Sequence, residues 1–314
     1  MGQPLHGLPG KTRAGPSIAF PKEPTLARDA LPVNLYGLIW ASREGALQTF
    51  RASLRELRQA LVSVLFAAPC RLCGKLLDTA SRIPLCCSCV TSIRPLTGPC
   101  CARCGRPFVS AVVLDRETAP LCHICQRGLY DFDFARSYTA YTETVAGAII
   151  LLKYQQVTPL AGWFAASLRK TFDANSEACR ADLVVPVPAH AQRLRERGYN
   201  QAELIAKPLA RSLGLPCRSY LLLRSRPRPD KLRLTLRERW RSVRGVYTTR
   251  QGLRVDNLRV LLVDDVLTTG ATLDACSRAL RKAGAAKVVA LTVARAIPWR
   301  EQAAIEPPRR EPNG

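Results

Sequence analysis

Four Cys-x-x-Cys pairs fall within residues 70–125: Cys70/Cys73, Cys86/Cys89, Cys101/Cys104 and Cys122/Cys125. A two-residue gap lets both thiolates of a knuckle reach one ion about 2.3 Å away, and two knuckles complete a tetrahedral site. Four knuckles therefore supply two sites, which predicts two zinc ions. A single pair could equally be redox-active; four in one short stretch point to metal. Residues 70–125 are too polar and too short to build a large apolar core. Gly74 and Gly105 follow the second cysteine of their pairs, where a tight turn favours glycine. With all four positions of each site filled by protein, the expected role is structural. Cys87 and Cys100 lack a partner at the two-residue spacing, and the cysteine count makes His123 unnecessary as a ligand. Cys179, Cys217 and Cys276 read as buried small apolar side chains. Pairing order stays open: sequential pairing closes loops Cys73–Cys86 and Cys104–Cys122, and a cross-brace is also possible.

Paired knuckles argue against a disulfide scaffold and for a reducing, cytoplasmic compartment. The first forty residues show no clean apolar core of a signal peptide. No run of 18 or more apolar residues occurs, so no transmembrane helix is expected. The formal net charge is +23, a field that attracts polyanions such as nucleic acid, nucleotides or an acidic membrane.

The chain divides by composition. Residues 1–42 mix Pro, Gly and basic side chains and read as a loosely ordered extension. Over 43–66, Leu47, Phe50, Leu54, Leu57, Leu61 and Val64 recur at steps of three and four, predicting an amphipathic helix. A double ribbon is expected over 67–130. Residues 134–300 then alternate strand and helix signals. Ala181–Val187, Val260–Val263 and Val288–Val293 are short Val-rich runs, while Glu143–Tyr154, Pro159–Phe172, Asn200–Leu213 and Thr272–Ala283 carry helical spacing. Such alternation predicts an α/β domain with a mostly parallel sheet and helices on both faces. The tail, 301–314, is polar and Pro-rich and reads as loose.

Within that domain, residues 259–273 read RVLLVDDVLTTGATL. A buried strand runs into Asp264 and Asp265, then a Thr/Gly turn, then a helix starting near Thr272. Thr268, Thr269, Gly270, Ala271 and Thr272 can wrap a phosphate with backbone N–H groups and hydroxyls at the positive end of a helix dipole. Gly270 permits close backbone approach. A sugar bound beside that phosphate would meet Asp264 and Asp265, which can accept hydrogen bonds from vicinal hydroxyls. The P-loop pattern does not fit, because no Gly-Lys-Ser/Thr follows.

This segment resembles the PRPP-binding motif of type I phosphoribosyltransferases. The resemblance implies a flavodoxin-like core, the carboxylates on the ribose hydroxyls, the Thr/Gly loop on the 5-phosphate, and Mg²⁺ on the diphosphate. Residues 182–201, DLVVPVPAHAQRLRERGYNQ, carry a second match. Pro-Val-Pro ends a strand, and Arg193 and Arg197 follow, where guanidinium forks suit a leaving diphosphate. Together with the cysteine pairs, this block resembles the ComF (competence protein F, GntX-like) family, in which a double zinc ribbon precedes a type I phosphoribosyltransferase domain. Leu152-Lys153-Tyr154 is similar to that family's pattern too, although Lys153 suits a surface lysine as readily as a site residue. Between the two motifs Arg224 and Arg239 fit the family, but Lys231 stands where Gln is expected and Ser242 where Asn is expected.

The resemblance implies a PRPP-binding protein that handles incoming single-stranded DNA during natural transformation, alongside competence or recombination proteins. An arginine-rich stretch over 190–260 suits such a strand. Aromatics for base stacking are few there: Tyr199, Tyr220, Trp240 and Tyr247. The alternative is a metabolic transferase displacing diphosphate from PRPP with a nitrogen acceptor. No side chain is a clear general base, and the acceptor is not legible.

Overall fold

The strand that carries the two aspartates organises the domain. In the computed structural model, which describes residues 68–77, 82–108, 120–226 and 236–297, it is β5, Arg259–Leu267. Val260 and Leu262 pack into one apolar cluster while Leu261 and Val263 pack into another. The alternation of a strand thus sends successive side chains to two buried faces, which is why the segment reads as a continuous apolar run. The neighbouring strands behave alike: Val288 and Ala290 face one side, Val289 and Leu291 the other.

Four strands form the sheet: β1 (Phe134–Ala140), β2 (Leu183–Pro186), β5 and β6 (Lys287–Arg295), in the order β1-β6-β5-β2, with every neighbouring pair parallel. Strands β3 (Leu222–Arg224) and β4 (Tyr247–Thr249) pair antiparallel as a separate two-stranded unit. One face of the main sheet is covered by α3 (Glu143–Tyr154), α4 (Pro159–Asp173) and α6 (Gln201–Leu213). The other carries α8 (Ala271–Lys282), whose Leu273, Cys276 and Leu280 are buried. Each leucine hidden this way contributes about 1.5–3 kcal/mol. The short α1 (Cys87–Ser92) and α2 (His123–Gln126) belong to the cysteine segment, α5 (Ala191–Arg197) follows β2, and α7 (Leu236–Arg241) precedes β4.

Local chemistry sets the helix ends. Pro159 opens α4 at its first turn, where a missing N–H is harmless. Asn200 caps α6 by accepting the Ala202 N–H at 3.1 Å, and Gly214, at φ +67°, ends it. The four expected helices appear within a residue at each end. One expectation changes: β5 does not stop at Val263. It continues through both aspartates to Leu267, because Thr292 and Ala294 on β6 continue the ladder opposite Asp264 and Val266. The helix after it begins at Ala271. The expected extension 1–42, amphipathic helix 43–66 and tail 301–314 lie outside the described residues, as do Lys231 and the Arg239 side chain. No helix among the described residues is long and apolar enough to cross a membrane.

Candidate functional site

The C-terminal end of β5 turns directly into α8. Gly270 sits at the turn with φ +80°, a conformation that L side chains rarely adopt. A Cβ there would lie 2.5 Å from Cε1 of Tyr130. Tyr130 also donates its hydroxyl to the Thr269 carbonyl at 2.9 Å. Burial pushes the Tyr130 phenol well up, so it remains a donor. The ring is itself held by Phe132, at 4.5 Å between centroids, and by Trp240, at 5.7 Å. The loop Thr268–Gly270 and the first turn of α8 therefore rest on a fixed aromatic base. The first N–H groups of a helix have no intrahelical acceptor and carry the positive end of its dipole, the arrangement an anion needs.

Asp264 and Asp265 stand just before this turn, and both are buried. Asp264 accepts the Asp265 N–H at 2.9 Å. Asp265 forms an ion pair with Lys153, at the end of α3. Burial alone would pull the Lys153 ammonium down; contact with Asp265 and the nearby Asp264 charge outweigh it and raise it. Lys153 is therefore not a solvated surface lysine: its ammonium lies against a motif carboxylate. Tyr199 donates to the Leu152 carbonyl, and Asn200 donates to the Val187 carbonyl at 3.0 Å. These bonds tie the segment after β2 to the end of α3.

Arg197 belongs to the same neighbourhood. Its guanidinium lies 4.4 Å above the Tyr154 ring and donates to Gln201 at 3.1 Å, while its Nε is buried without a hydrogen-bond partner among the described residues. Arg193 is placed differently: it lies on the exposed face of α5 and pairs with Glu196 at 2.8 Å. Arg224 lies near the Tyr247 ring at 5.9 Å, in the β3–β4 unit.

The eight paired cysteines gather into two groups: Cys70, Cys73, Cys86, Cys89 and Cys101, Cys104, Cys122, Cys125, with the four sulfurs of each group within 4.8 Å of one another. Pairing is therefore sequential, not cross-braced. Sulfur separations of 3.8 Å (Cys70–Cys89), 3.5 Å (Cys73–Cys86) and 3.6 Å (Cys104–Cys122) match the edge of a tetrahedron with 2.3 Å metal–sulfur bonds, about 3.8 Å. Both groups can hold structural zinc. Cys87 and Cys100 stay outside them. In the second group the Cys101 thiol is lowered by its sulfur neighbours, and Cys104 is pushed up to about 11. A dication would favour the thiolate at all four.

The second group is joined to the sheet. Arg295, buried at the end of β6, donates to the Cys104 carbonyl at 2.6 Å and approaches its sulfur at 3.5 Å. Arg136 on β1 donates to the Ala102 carbonyl at 3.1 Å. Residue 295 pairs across the sheet with Leu267, where the cradle begins. Tyr130, Arg295 and the Lys153–Asp265 contact lack a local sequence signal. They arise between segments far apart in the chain.

Residues 200–309 match the phosphoribosyl transferase domain family. Competence protein ComFC of Bacillus subtilis is 29% identical over 216 residues, covering 67% of this chain and 84% of that protein. In this chain the two four-cysteine groups stand ahead of a parallel sheet carrying the Asp-Asp and Thr/Gly segment. The chain is similar to ComF proteins in sequence and in the order of its parts. Competence protein F of Haemophilus influenzae is 33% identical over 116 residues, or 37% of this chain and 51% of that one. DNA utilization protein YhgH of Salmonella typhi is 36% identical over 107 residues, 34% of this chain. Those two matches span about half of each relative's length. The family architecture, a double ribbon followed by a type I phosphoribosyltransferase fold, is the one described above.

Proposed function

We propose that the pocket at the end of β5 binds PRPP or a related phosphoribosyl ligand, and that the protein uses it in handling single-stranded DNA during competence. The observation that carries the ligand assignment is the pair of adjacent buried carboxylates, Asp264 and Asp265, directly before the Gly270 turn into α8. Thr268, Thr269, Gly270, Ala271 and Thr272 take the 5-phosphate, and the two aspartates accept the ribose hydroxyls. Lys153 holds Asp265 in place and balances its charge. Arg197, with a buried Nε still open, serves the diphosphate; Arg193 joins it by leaving Glu196. Mg²⁺ would be held mainly by diphosphate oxygens and water, since Asp265 already faces an ammonium. Two zinc ions in the cysteine groups would be structural.

The DNA part of the reading is supported by the relatives' names, competence protein and DNA utilization protein, and by the net charge of +23. Competence or recombination proteins in the cytoplasm would be the partners. A second reading, a metabolic phosphoribosyltransferase, is favoured by Arg197 beside the carboxylates. In that reaction a nitrogen acceptor forms the C1–N bond as the C1–O bond to diphosphate breaks. Positioning and charge neutralisation would do most of the work.

Titration calorimetry with PRPP and Mg²⁺, with and without single-stranded DNA, tests the pocket. Micromolar binding should be lost in Asp264→Asn with Asp265→Asn, while zinc content stays near two per chain. Unchanged affinity in the double variant would overturn the ribose assignment. Release of diphosphate on adding nitrogen acceptors would favour the transferase.

A further inference from the structure

We propose that a second cavity, on the flank of α8, docks an acidic peptide segment of a partner protein that carries a bulky apolar side chain. The cavity has a volume of about 760 Å³ and lies between α7, the start of β4, the residues after α2 and the solvent side of α8. None of residues 264–272 lines it, so it is separate from the phosphate cradle and does not depend on its ligand.

Two chemistries meet there. The floor is apolar: Val243, Tyr247 and Ala279 are buried, and Leu129 and Trp240 open onto it. The rim is cationic: Arg127, Arg241, Arg244, Arg278 and Lys282 surround it. Arg278 is engaged by Asp131 at 2.6 Å and by Asp274 at 3.0 Å. The other four make no ion pair among the described residues. The one carboxylate in the lining, Asp274, is buried and already satisfied by Arg278 and by the Asp131 N–H at 2.8 Å. Four unengaged cations around an apolar cup repel one another and complement an acidic partner. A cup of this size holds an apolar anchor with its flanking residues.

A nucleic-acid strand fits less well. Sequence-tolerant strand binding needs successive aromatic faces on which bases stack. Here Tyr247 is buried, one face of Trp240 is taken by Tyr130, and the remaining floor is aliphatic. Such a surface takes one inserted side chain, not a row of bases.

The test uses the full chain loaded with zinc. Fluorescence anisotropy would compare a labelled peptide of four aspartates ending in Leu-Phe with one ending in Ala-Ala, and with an oligothymidylate. The Leu-Phe peptide should bind and quench Trp240 emission, identified by the loss of that signal in Trp240→Phe. The Ala-Ala peptide should bind about tenfold more weakly, as expected for loss of an anchor. Arg244→Glu with Lys282→Glu should weaken the Leu-Phe peptide by a similar factor, and Asp264→Asn with Asp265→Asn should leave it unchanged. Equal affinity for the two peptides would reduce the site to surface charge and overturn the proposal. So would absence of peptide binding, or oligothymidylate binding that the same charge reversal abolishes. If the reversed variant fails to fold, the two-peptide comparison on the unaltered protein still decides.

Discussion

Gly270 is a single residue on which the cradle's shape depends, because two demands coincide there. Its positive φ costs an L side chain about 1–2 kcal/mol, and its missing Cβ leaves room for the Tyr130 ring. Gly270→Ala is expected to destabilise the fold by about 2 kcal/mol or more, read from urea midpoints, and to weaken PRPP binding. Adding Tyr130→Leu should recover the part due to crowding and none of the part due to φ, a split that a double-mutant cycle measures. Asp182 offers a cleaner electrostatic case. It accepts from Arg259 Nη2 at 2.6 Å and from the Arg259 backbone N–H at 2.8 Å. These side-chain and backbone bonds lower its pKa from 3.8 to about 2. Because the folded value is depressed, the stabilisation is full above about pH 4 and is lost as pH falls toward 2. Asp182→Asn should cost about 1 kcal/mol at neutral pH, a modest figure because both partners are partly exposed to solvent. The gap between the two proteins should close across that acid window.

At the scale of elements, the two cysteine groups are unequal. Cys73 in the first is exposed, whereas all four members of the second are buried and Arg295 donates to Cys104. Cys104→Ala is therefore expected to lower the unfolding free energy by roughly 1–3 kcal/mol more than Cys73→Ala, since a buried guanidinium loses its sulfur partner. Chemical denaturation with zinc analysis measures the difference. The elements legible in the sequence were those with strong periodicity. The helices from Glu143 to Leu213 and the Val-rich β2, β5 and β6 declare themselves by apolar spacing. Strand β1 did not, because its inward positions are small or polar: Ala135, Ser137 and Thr139 are buried. Ser137 is accommodated only by its 2.6 Å bond to Thr292 on β6, which no local pattern announces. The three-residue strands β3 and β4 are too short to show alternation. The end of β5 was misread for a related reason: two aspartates look like a strand terminus until a partner strand continues the ladder past them.

For the whole molecule, charge is the dominant property. With a net charge of +23, binding to single-stranded DNA should rest largely on counterion release. Affinity should fall by about a thousandfold between roughly 50 and 200 mM salt if some six phosphates are engaged. A flat response in anisotropy titrations would remove the electrostatic basis for DNA handling. The site itself was only half legible in the sequence. Asp264, Asp265 and the Thr/Gly loop are contiguous and could be found in one segment. Arg197 was found through its own segment and Lys153 was left undecided, while Tyr130 gave no signal, because only the fold brings it against the Gly270 turn. The contact between Tyr130 and the Gly270 turn, which joins positions 139 residues apart at Thr269, has a consequence for how such proteins change over time. A ribbon exchanged between relatives together with residues 130–132 has to bring a ring that fits the Gly270 turn. A chain begun at Phe134 would leave a hole where Tyr130 and Phe132 stood, directly beneath the cradle. Ring and glycine are bound to be inherited together, so a lineage that loses one should be found to have altered the other.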